Sequence, residues 1–353
     1  MPMTSEIELA PGRWVGGPHP CFIVAEVGQN HQGDVDTAKS LIKAAKESGA
    51  DCVKFQKTCL REKFNATALQ RPYCGPNSWG KTYGEHKQHL EFSISQFKEL
   101  QDFAFQNGII FTSSAMDSAS VDVLDTLEVP FLKIGSGDAN NFPLLKYAAS
   151  KKKPMVVSTG MQSMDTVRAI YKLLKAAKCR FCLLHCVSAY PTPAQDVNLR
   201  VIQTYKTEFP DVPIGYSGHE LGITISISAI AMGAQVLERH ITLDKSWKGS
   251  DHICSLTPSE FRELVDQVRT VEAALGSPAK QFQSSEEPCY NKLGKTLVAA
   301  RHLSAGMSIT EENIKVKVAE PKGCPAEKLY EVIGKKLLRD VGEDESIMCD
   351  DLE

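Results

Sequence analysis

A regular alternation of strand-like and helix-like segments runs through this chain up to about residue 245 and leaves few folds open to it. Eight short runs suited to β-strands are each followed by a segment with apolar residues at helical spacing. The predicted strands are Phe22 to Glu26, Cys52 to Gln56, Ile109 to Ser113, Phe131 to Ile134, Met155 to Ser158, Phe181 to Cys186, Ile214 to Ser217 and Val236 to His240. Because helices separate them, neighbouring strands are expected to be parallel. The pattern predicts a closed (β/α)₈ barrel, a TIM barrel, with a doubly wound open sheet as the structural alternative.

The end of this alternation marks a domain boundary. Thr257-Pro-Ser-Glu260 has the residues of a capping box with Pro at the first helical position, and it predicts a helix that ends near Gly276. Residues 277–290 are polar and irregular and are interpreted as a linker. Residues 291–353 contain short β-like pieces and one small helix. The chain is therefore predicted to have a barrel domain at 1–276 and a small domain at 291–353.

Charge and composition exclude several classes of function. The 353 residues carry 40 Lys and Arg against 43 Asp and Glu, so there is no basic surplus for binding nucleic acid. The most apolar stretch, Ile223 to Leu237, is too short and too polar to span a membrane, and the N-terminus lacks the pattern of an export signal. The 11 scattered cysteines are typical of a reducing compartment. The chain is expected to be cytoplasmic and to bind any anion at a local site.

Polar side chains gather at the ends of the predicted strands, where barrel enzymes place their active sites. Lys54 and Lys133 lie on different strands, and two buried lysines need compensating negative charge. We therefore predict that they hold a phosphate group. The hydroxyls expected to donate to the same anion are those of Thr112, Ser136, Ser158 and Ser217. The alternative is that these lysines pair with core carboxylates such as Glu26.

Two histidines lie at the same predicted end of the barrel. His219 follows the seventh strand and His240 ends the eighth, so both imidazoles could reach one divalent cation and leave positions for water and substrate. The alternative is that each ring is only hydrogen-bonded. Glu26 and Asp251 are carboxylates that could stay ionised near a cation or take a proton, or could form ordinary loop ion pairs.

Six motifs in order along the chain resemble those of the sialic acid synthases. They are IVAEVGQNHQG at 23–33, VKFQ at 53–56, FLKIGSG at 131–137, VSTGM at 157–161, GYSGH at 215–219 and LERHIT at 237–242. Each is weak alone, but together they span most of the chain. The tail resembles the small antifreeze-like (SAF) domain of this family, which covers the partner's barrel in a swapped homodimer.

The resemblance implies condensation of phosphoenolpyruvate with an N-acetylmannosamine in its open-chain aldehyde form, with release of phosphate. It implies that manganese or magnesium on His219 and His240 polarises the aldehyde, that C3 of phosphoenolpyruvate attacks it, and that water adds at C2. The residues implied for phosphoenolpyruvate are Lys54, Thr112, Lys133, Ser136, Ser158 and Ser217. Those implied for orienting the sugar and the water are Glu26, Gln56, Tyr190 and Asp251, with Glu26 as proton carrier.

Two departures from the family's bacterial pattern bear on the sugar. Bacterial members that use the free sugar have Asn where this chain has Ser188, and an arginine of the small domain where this chain offers Lys317 or Lys322. The pattern is most similar to the animal members, which take N-acetylmannosamine 6-phosphate and make the sialic acid 9-phosphate. The candidates for binding a second phosphate are Lys63, Arg71, Lys81 and Lys87. Alternatives are a synthase using free N-acetylmannosamine or mannose 6-phosphate, and a non-catalytic sugar-binding barrel.

Overall fold

The structure is a computed structural model that describes residues 6–353. The chain forms two compact units, one that ends at Gly276 and one from Ser277 to Glu353. Residues 277–290, interpreted as a linker, group with the second unit and include the start of a helix. Among the described residues, no helix is both long enough and apolar enough to cross a membrane.

Eight parallel strands close into a barrel, which confirms the predicted fold and excludes the open sheet. The last strand pairs with the first, with His240 opposite Glu26. After a short N-terminal hairpin of β1 (Ile7–Ala10) and β2 (Arg13–Val15), the barrel strands are β3 (Phe22–Gly28), β4 (Cys52–Lys57), β5 (Ile110–Ala115), β6 (Leu132–Ile134), β7 (Met155–Ser158), β8 (Phe181–Cys186), β9 (Ile214–Gly218) and β10 (Val236–His240). The predicted bounds of β7, β8 and β10 are confirmed, and the other five differ by one or two residues.

Helices follow the strands, as the apolar spacing predicted. The helices of the first unit are α1 (Val35–Glu47), α2 (Leu60–Lys63), α3 (Ala66–Gln70), α4 (Tyr83–Leu90), α5 (Ile94–Gln106), α6 (Ser118–Thr126), α7 (Phe142–Ser150), α8 (Met164–Ala176), α9 (Ala194–Val197), α10 (Val201–Glu208), α11 (Thr224–Ala231) and α12 (Pro258–Leu275). The capping box predicted for α12 is present, because Thr257 and Glu260 each bond to the other's backbone N–H.

The hairpin of β1 and β2 closes the amino-terminal end of the barrel, and the sequence analysis did not predict it. Its turn uses Gly12 in the left-handed region, at φ +73°, which suits a residue without Cβ. Ile7, Leu9 and Val15 are buried against residues at the starts of the barrel strands. The barrel residues in that cluster are Phe22, Val24, Cys52, Phe131, Val156, Cys182, Leu184 and Val236. This end of the barrel interior is therefore a packed apolar plug.

The second unit is a small β-containing domain with its own core. Its regular elements are α13 (Glu287–Leu293), β11 (Thr296–Ala299), β12 (Ile314–Lys317) and α14 (Leu329–Val332). The strands β11 and β12 are antiparallel, with Thr296 opposite Lys317. The buried apolar residues of this core are Leu297, Ala299, Leu303, Ile309, Ile314, Cys324, Val332, Leu337, Val341 and Ile347. The predicted strand pieces and small helix therefore lie within this unit.

Candidate active site

Four charged side chains are buried together near the carboxyl ends of the barrel strands. They are Glu26 on β3, Lys54 on β4, Lys133 on β6 and Glu238 on β10, and all are nearly inaccessible to solvent. Lys54 forms an ion pair with Glu26 and lies 3.6 Å from Glu238, measured from Nζ to Oε1. Lys133 Nζ is 3.7 Å from the same Glu238 oxygen. We call these four residues the ionic cluster.

The ionic cluster contains the alternative partner of the predicted lysine clamp. The clamp was predicted to hold a bound anion, with pairing to Glu26 as the alternative, and anion binding stays a prediction. In the structure Glu26 and Glu238 supply the compensating negative charge, because an unpaired buried cation would be costly. Sequence analysis missed Glu238, although it lies two residues before His240 on one strand and so shares its face.

Burial and mutual attraction act differently on the members of the ionic cluster. Burial lowers the pKa of Lys133, with Glu238 opposing it. Burial raises the pKa of Glu26, and the Lys54 cation only partly opposes this. For Glu238 burial also disfavours the charge, but Lys133 and Lys54 outweigh it and hold the pKa at about 2. Glu26 is therefore the carboxyl of this cluster better suited to carry a proton.

Three hydroxyls bond directly to the ionic cluster. Lys133 donates to Ser158 Oγ at 2.7 Å, and Lys54 donates to Ser114 Oγ at 3.1 Å. Ser217 donates to Glu238 Oε1 at 3.1 Å. Ser158 and Ser217 were predicted for this region, whereas Ser114 was missed.

Thr112, predicted as a donor to the anion, lies two residues before Ser114 on β5. Its hydroxyl donates to the Phe131 carbonyl at 2.7 Å, and its side chain is fully buried. A hydroxyl has one proton to donate, so this bond leaves none for a phosphate oxygen in the observed arrangement. Ser114, two residues further along β5 and on the same face, is the hydroxyl that reaches Lys54.

Ser136, Gly160 and Ser188 form a tight cradle beside the ionic cluster. The Gly160 N–H donates to Ser136 Oγ at 3.0 Å. A Cβ added to Gly160 would lie 2.4 Å from Ser188 Oγ and 2.8 Å from Ser136 Oγ, which is too close for any side chain. Ser188, predicted to contact the sugar, thus lies beside the same glycine as Ser136, which was predicted to bind phosphoenolpyruvate.

His219 and His240 lie side by side, with ring centroids 5.4 Å apart. The Val187 carbonyl lies 2.9 Å from His219 Nδ1, so Nδ1 donates this hydrogen bond and Nε2 takes no part in it. Burial lowers the pKa of His240, so its ring is neutral, and its Nδ1 lies 4.0 Å from Asp251 Oδ2. The Tyr190 ring centroid lies 4.2 Å from that of His219, with the two planes tilted by 44°.

These two histidines fit a divalent cation only in part. Within residues 6–353, no three or more His, Cys, Asp or Glu side chains are grouped as a complete metal site. However, His240 Nδ1 is buried without a hydrogen-bond partner among the described residues, and an unpaired buried nitrogen is costly unless something binds it. Two imidazoles with open positions between them suit a catalytic cation that also takes water and substrate as ligands.

Gln56 joins the ionic cluster to the histidines. Its side-chain amide donates to Glu26 Oε1 at 3.0 Å. A Cβ on Gly28 would lie 3.1 Å from His240 Cε1 and 3.3 Å from both Gln56 Nε2 and Glu26 Oε1. These three side chains therefore converge on one point at the end of β3, where Gly28 adopts φ +55°.

Three of the four predicted second-phosphate residues lie near one another, and one of them, Lys87, also lies near Asp251. The Arg71 guanidinium lies 4.0 Å from the Tyr83 ring centroid, and Lys87 Nζ lies 5.6 Å from the same ring. Lys63 donates to Asp138 at 3.1 Å. Burial lowers the pKa of Lys87 to about 8; Asp251 opposes this shift, and the cations of Lys63 and Arg71 add to it.

The other three predicted cations, Lys81, Lys317 and Lys322, have different surroundings. Lys81 is exposed, and only its backbone is fixed, by an N–H that donates to Glu85. In the second unit, Lys317 forms an ion pair with Asp344. Lys322 donates to the carbonyl oxygens of Tyr290 and Gly294, each at 2.9 Å, so its charge is directed at its own domain.

The fold and site define a class of protein: a (β/α)₈ barrel with buried lysines, carboxylates and paired imidazoles at its carboxyl end. The chain belongs to the NeuB family, which matches residues 41–280, and residues 294–353 match the SAF domain. It is 58% identical to the N-acetylneuraminate-9-phosphate synthase of Mus musculus, over 99% of this chain and 98% of the mouse protein. It is 59% identical to that of Homo sapiens, over 98% of this chain and 96% of the human protein.

A solved structure with the same fold supports this assignment. It is the N-acetylneuraminic acid synthetase from Leptospira borgpetersenii in complex with citrate, 32% identical to this chain with a TM-score of 0.73. The match covers 82% of this chain and 96% of that protein. The resemblance that the six motifs carried is therefore confirmed at the level of the family.

Proposed function

We propose that this protein condenses phosphoenolpyruvate with N-acetylmannosamine 6-phosphate and water to give N-acetylneuraminate 9-phosphate and inorganic phosphate. The observation that carries the proposal is the ionic cluster, which lies next to the paired imidazoles at the active end of the barrel. The printed activity of the mouse and human relatives supports it, since both align over nearly their whole length.

The ionic cluster and the serine cradle are the proposed phosphoenolpyruvate site. Lys54 and Lys133 would bind its phosphate and carboxylate, and the Gly160 cradle would hold the remaining oxygens close to the backbone. The anionic oxygens of bound phosphoenolpyruvate would compete with Glu26 for Lys54. Once Glu26 loses Lys54 as its ion-pair partner, the protonated form of the Glu26 carboxyl is favoured. Glu26 would thus gain a proton on binding and could pass it on during the reaction.

The sugar is proposed to bind on the histidine side of the site. His219 and His240 would hold manganese or magnesium, which when bound would polarise the aldehyde oxygen. Gln56, Tyr190 and Asp251 surround these rings and would orient the sugar and the attacking water. C3 of phosphoenolpyruvate bonds to the aldehyde carbon, water adds at C2, and the C2–O bond to phosphate breaks.

For the second phosphate we propose Lys63, Arg71 and Lys87. Arg71 and Lys87 both lie over the Tyr83 ring, and the cations of Lys63 and Arg71 both act on Lys87, which supports one small cationic region. Lys87 forms no ion pair with any of the described residues, so its cation is free to pair with a ligand. Lys81, Lys317 and Lys322 are not part of this proposal, because Lys81 is exposed and the other two bond to partners within the second unit.

A homodimer is proposed from the surface around the barrel mouth. Exposed apolar side chains follow four different strands there: Phe142, Met161, Leu221 and Ile253. Such a ring is typical of a surface that another chain covers. The occupant we propose is the SAF domain of a second copy. We also propose a cytoplasmic location, because all 11 cysteines are free.

The dimer is tested by sedimentation of the full chain and of Leu221→Asp. We expect wild type to be a dimer and Leu221→Asp to shift towards monomer at micromolar concentration. Phe105→Asp is the matched control, because Phe105 is even more exposed but lies at the end of α5, close to the start of β5. A monomeric wild type, or equal shifts for both variants, would contradict the proposal.

The reaction is tested by phosphate release from phosphoenolpyruvate with manganese, comparing N-acetylmannosamine, its 6-phosphate and mannose 6-phosphate over a concentration series. We expect the highest kcat/KM with N-acetylmannosamine 6-phosphate. Preference for either other sugar would reassign the substrate, and no release with any of them would favour a sugar-binding role. Chelation should abolish release and added manganese should restore it; full activity after chelation would exclude the metal role of the histidines.

A further inference from the structure

The residue between Glu238 and His240 on β10 is a fully buried arginine, Arg239. Because side chains alternate along a strand, Arg239 points away from the barrel interior, into the layer between the sheet and its helices. It is the largest side chain with almost no solvent exposure in the described part of the chain. A buried guanidinium there needs acceptors for its N–H groups.

Arg239 finds those acceptors in two loops at the carboxyl end of the barrel. Three acceptors share the two hydrogens of Nη1: Glu220 Oε1 at 2.9 Å, the Gly222 carbonyl at 2.8 Å and Ser226 Oγ at 2.8 Å. Nη2 donates to the Glu220 carbonyl at 2.7 Å and to the Cys254 carbonyl at 3.4 Å. One side chain is thus bonded to the loop after β9 and to the turn after β10.

The carboxylate of Glu220 is itself held on all sides. It is 1% exposed, and it accepts from Tyr216 Oη at 2.8 Å and from Ser226 Oγ at 2.6 Å in addition to Arg239. Tyr216 belongs to β9 and Ser226 to α11, so the carboxylate connects a strand, a loop and a helix. Three donors therefore hold the Glu220 carboxylate, and both terminal nitrogens of Arg239 have acceptors, whereas Arg239 Nε is buried without a partner among the described residues.

Both tethered loops carry residues of the candidate active site. Glu220 directly follows His219, and Cys254 ends the short 3₁₀ turn that follows Asp251. Arg239 itself directly precedes His240. The guanidinium is therefore bonded to the segments that set the positions of His219, His240 and Asp251 relative to one another, whereas the lysines of the ionic cluster lie on β4 and β6, which it does not contact.

We propose that Arg239, acting through Glu220, is a positioning residue that holds His219, His240 and Asp251 in register for the divalent cation and the sugar. This inference rests on the proposed function and its metal. It assigns the arginine no contact with substrate. The planar guanidinium is needed because its N–H donors reach several acceptors at once. A lysine keeps the positive charge but lacks this planar set of donors.

The test compares Arg239→Lys with wild type in the full-length protein. Manganese binding is measured by titration of the free-ion electron paramagnetic resonance signal, without substrate. Because outer residues that orient metal ligands typically contribute 10- to 100-fold to affinity, we expect Arg239→Lys to weaken manganese binding by at least about 10-fold. KM for phosphoenolpyruvate at saturating manganese should stay within about twofold, since the lysines proposed to bind it lie on β4 and β6 and Glu238 faces the other side of β10.

Arg269→Lys is the matched control. Arg269 also bonds a backbone carbonyl and two carboxylates, those of Glu272 and Asp51, but at the amino-terminal end of the barrel. The Arg269→Lys variant should bind manganese with unchanged affinity even if its melting temperature is lower. Should Arg239→Lys fail to fold, Ser226→Ala removes one contact of the network and keeps both charges, and we expect it to weaken manganese binding about threefold.

The outcomes separate this inference from the proposed function. Normal manganese binding by a folded Arg239→Lys, or by Ser226→Ala if Arg239→Lys does not fold, would overturn the inference alone. A parallel rise in KM for phosphoenolpyruvate and loss of manganese binding would also overturn it, because that pattern indicates general loosening of the barrel. A wild-type protein that binds no manganese would overturn the metal site and this inference together.

Discussion

The two ends of the barrel are built from the same eight strands but have opposite interiors. At the amino-terminal end, Leu9 and Val15 of the hairpin pack against apolar residues, and the interior is apolar. At the carboxyl end, Lys54, Lys133 and Glu238 are buried as charges. Burying charges contributes little to stability even when they are paired, whereas apolar packing contributes much. The comparison teaches that one end stabilises the fold and the other can be devoted to chemistry.

The largest expected effect comes from removing a lysine of the ionic cluster. Lys133→Met should lower kcat/KM for phosphoenolpyruvate by roughly 10³-fold, because a buried cation that binds the reacting anion is lost. Lys54→Met should do the same and should also destabilise the protein by about 3 kcal/mol, since Glu26 keeps its burial but loses its partner. Phosphate-release kinetics and urea unfolding measure the two effects.

A double variant separates these two effects. Lys54→Met/Glu26→Gln removes both charges of the pair, so the free energy of unfolding should return towards the wild-type value. Activity should remain lost. If the double variant regained activity, Lys54 would serve only to neutralise Glu26, and the proposed phosphoenolpyruvate site would be wrong.

The opposite end should show the opposite behaviour. Leu9→Ala should destabilise the protein by about 2 to 5 kcal/mol, because it leaves a cavity in the apolar plug. The kcat/KM at 25 °C should stay within about twofold of wild type. Trp14→Ala is the control in the same hairpin, since Trp14 is 40% exposed whereas Leu9 is 1% exposed, and it should lower the free energy of unfolding by less. A large loss of activity in stable Leu9→Ala protein would show that the two ends are coupled.

A smaller effect concerns pH and the rim of the active end. Because the pKa of Lys87 is lowered to about 8, its cation is present below that pH and is lost above it. KM for N-acetylmannosamine 6-phosphate should therefore rise, by about 10-fold, as pH increases through 8, while KM for the free sugar should not. Lys87→Arg keeps its charge and should remove this pH dependence. An unchanged pH profile in Lys87→Arg would exclude Lys87 from the phosphate site.

The smallest expected effect distinguishes two neighbouring hydroxyls of β5. Ser114→Ala should lower kcat/KM by about fivefold, the equivalent of one hydrogen bond to Lys54. Thr112→Val should instead lower the melting temperature by a few degrees and leave KM for phosphoenolpyruvate unchanged, because its hydroxyl bonds to Phe131. The reverse pattern would restore Thr112 as the contact with the anion.

Much of the barrel could be predicted because its signals are local. The strands β7, β8 and β10 are short buried runs bounded by polar residues, so the sequence determines their ends. The cap at Thr257 depends only on residues three apart. His219 and His240 could be placed at one end of the barrel because each follows or ends a strand, and parallel strands bring those ends together.

The missed features depend on contacts between distant segments. Glu238 is buried only because lysines of two other strands reach it, and no local pattern reports that pairing. The hairpin at Ile7 and Val15 has no helix between its strands, so it lies outside the repeated pattern, although Glu8 between Ile7 and Leu9 gives the alternation of a strand. Ser114 reaches Lys54 because of the register between β4 and β5, which sequence spacing does not fix.

The alternation of side chains along β10 has a consequence for how this family can change over time. Glu238 and His240 face the site, and Arg239 faces the supporting layer. Deleting or inserting one residue in this strand would exchange the two faces, placing the arginine in the site and the carboxylate under the helices. A point substitution in β10 changes one side chain at a time, whereas a change of length moves every following side chain to the other face at once. We therefore expect relatives to vary in the loops around β10 and to keep its residue count fixed.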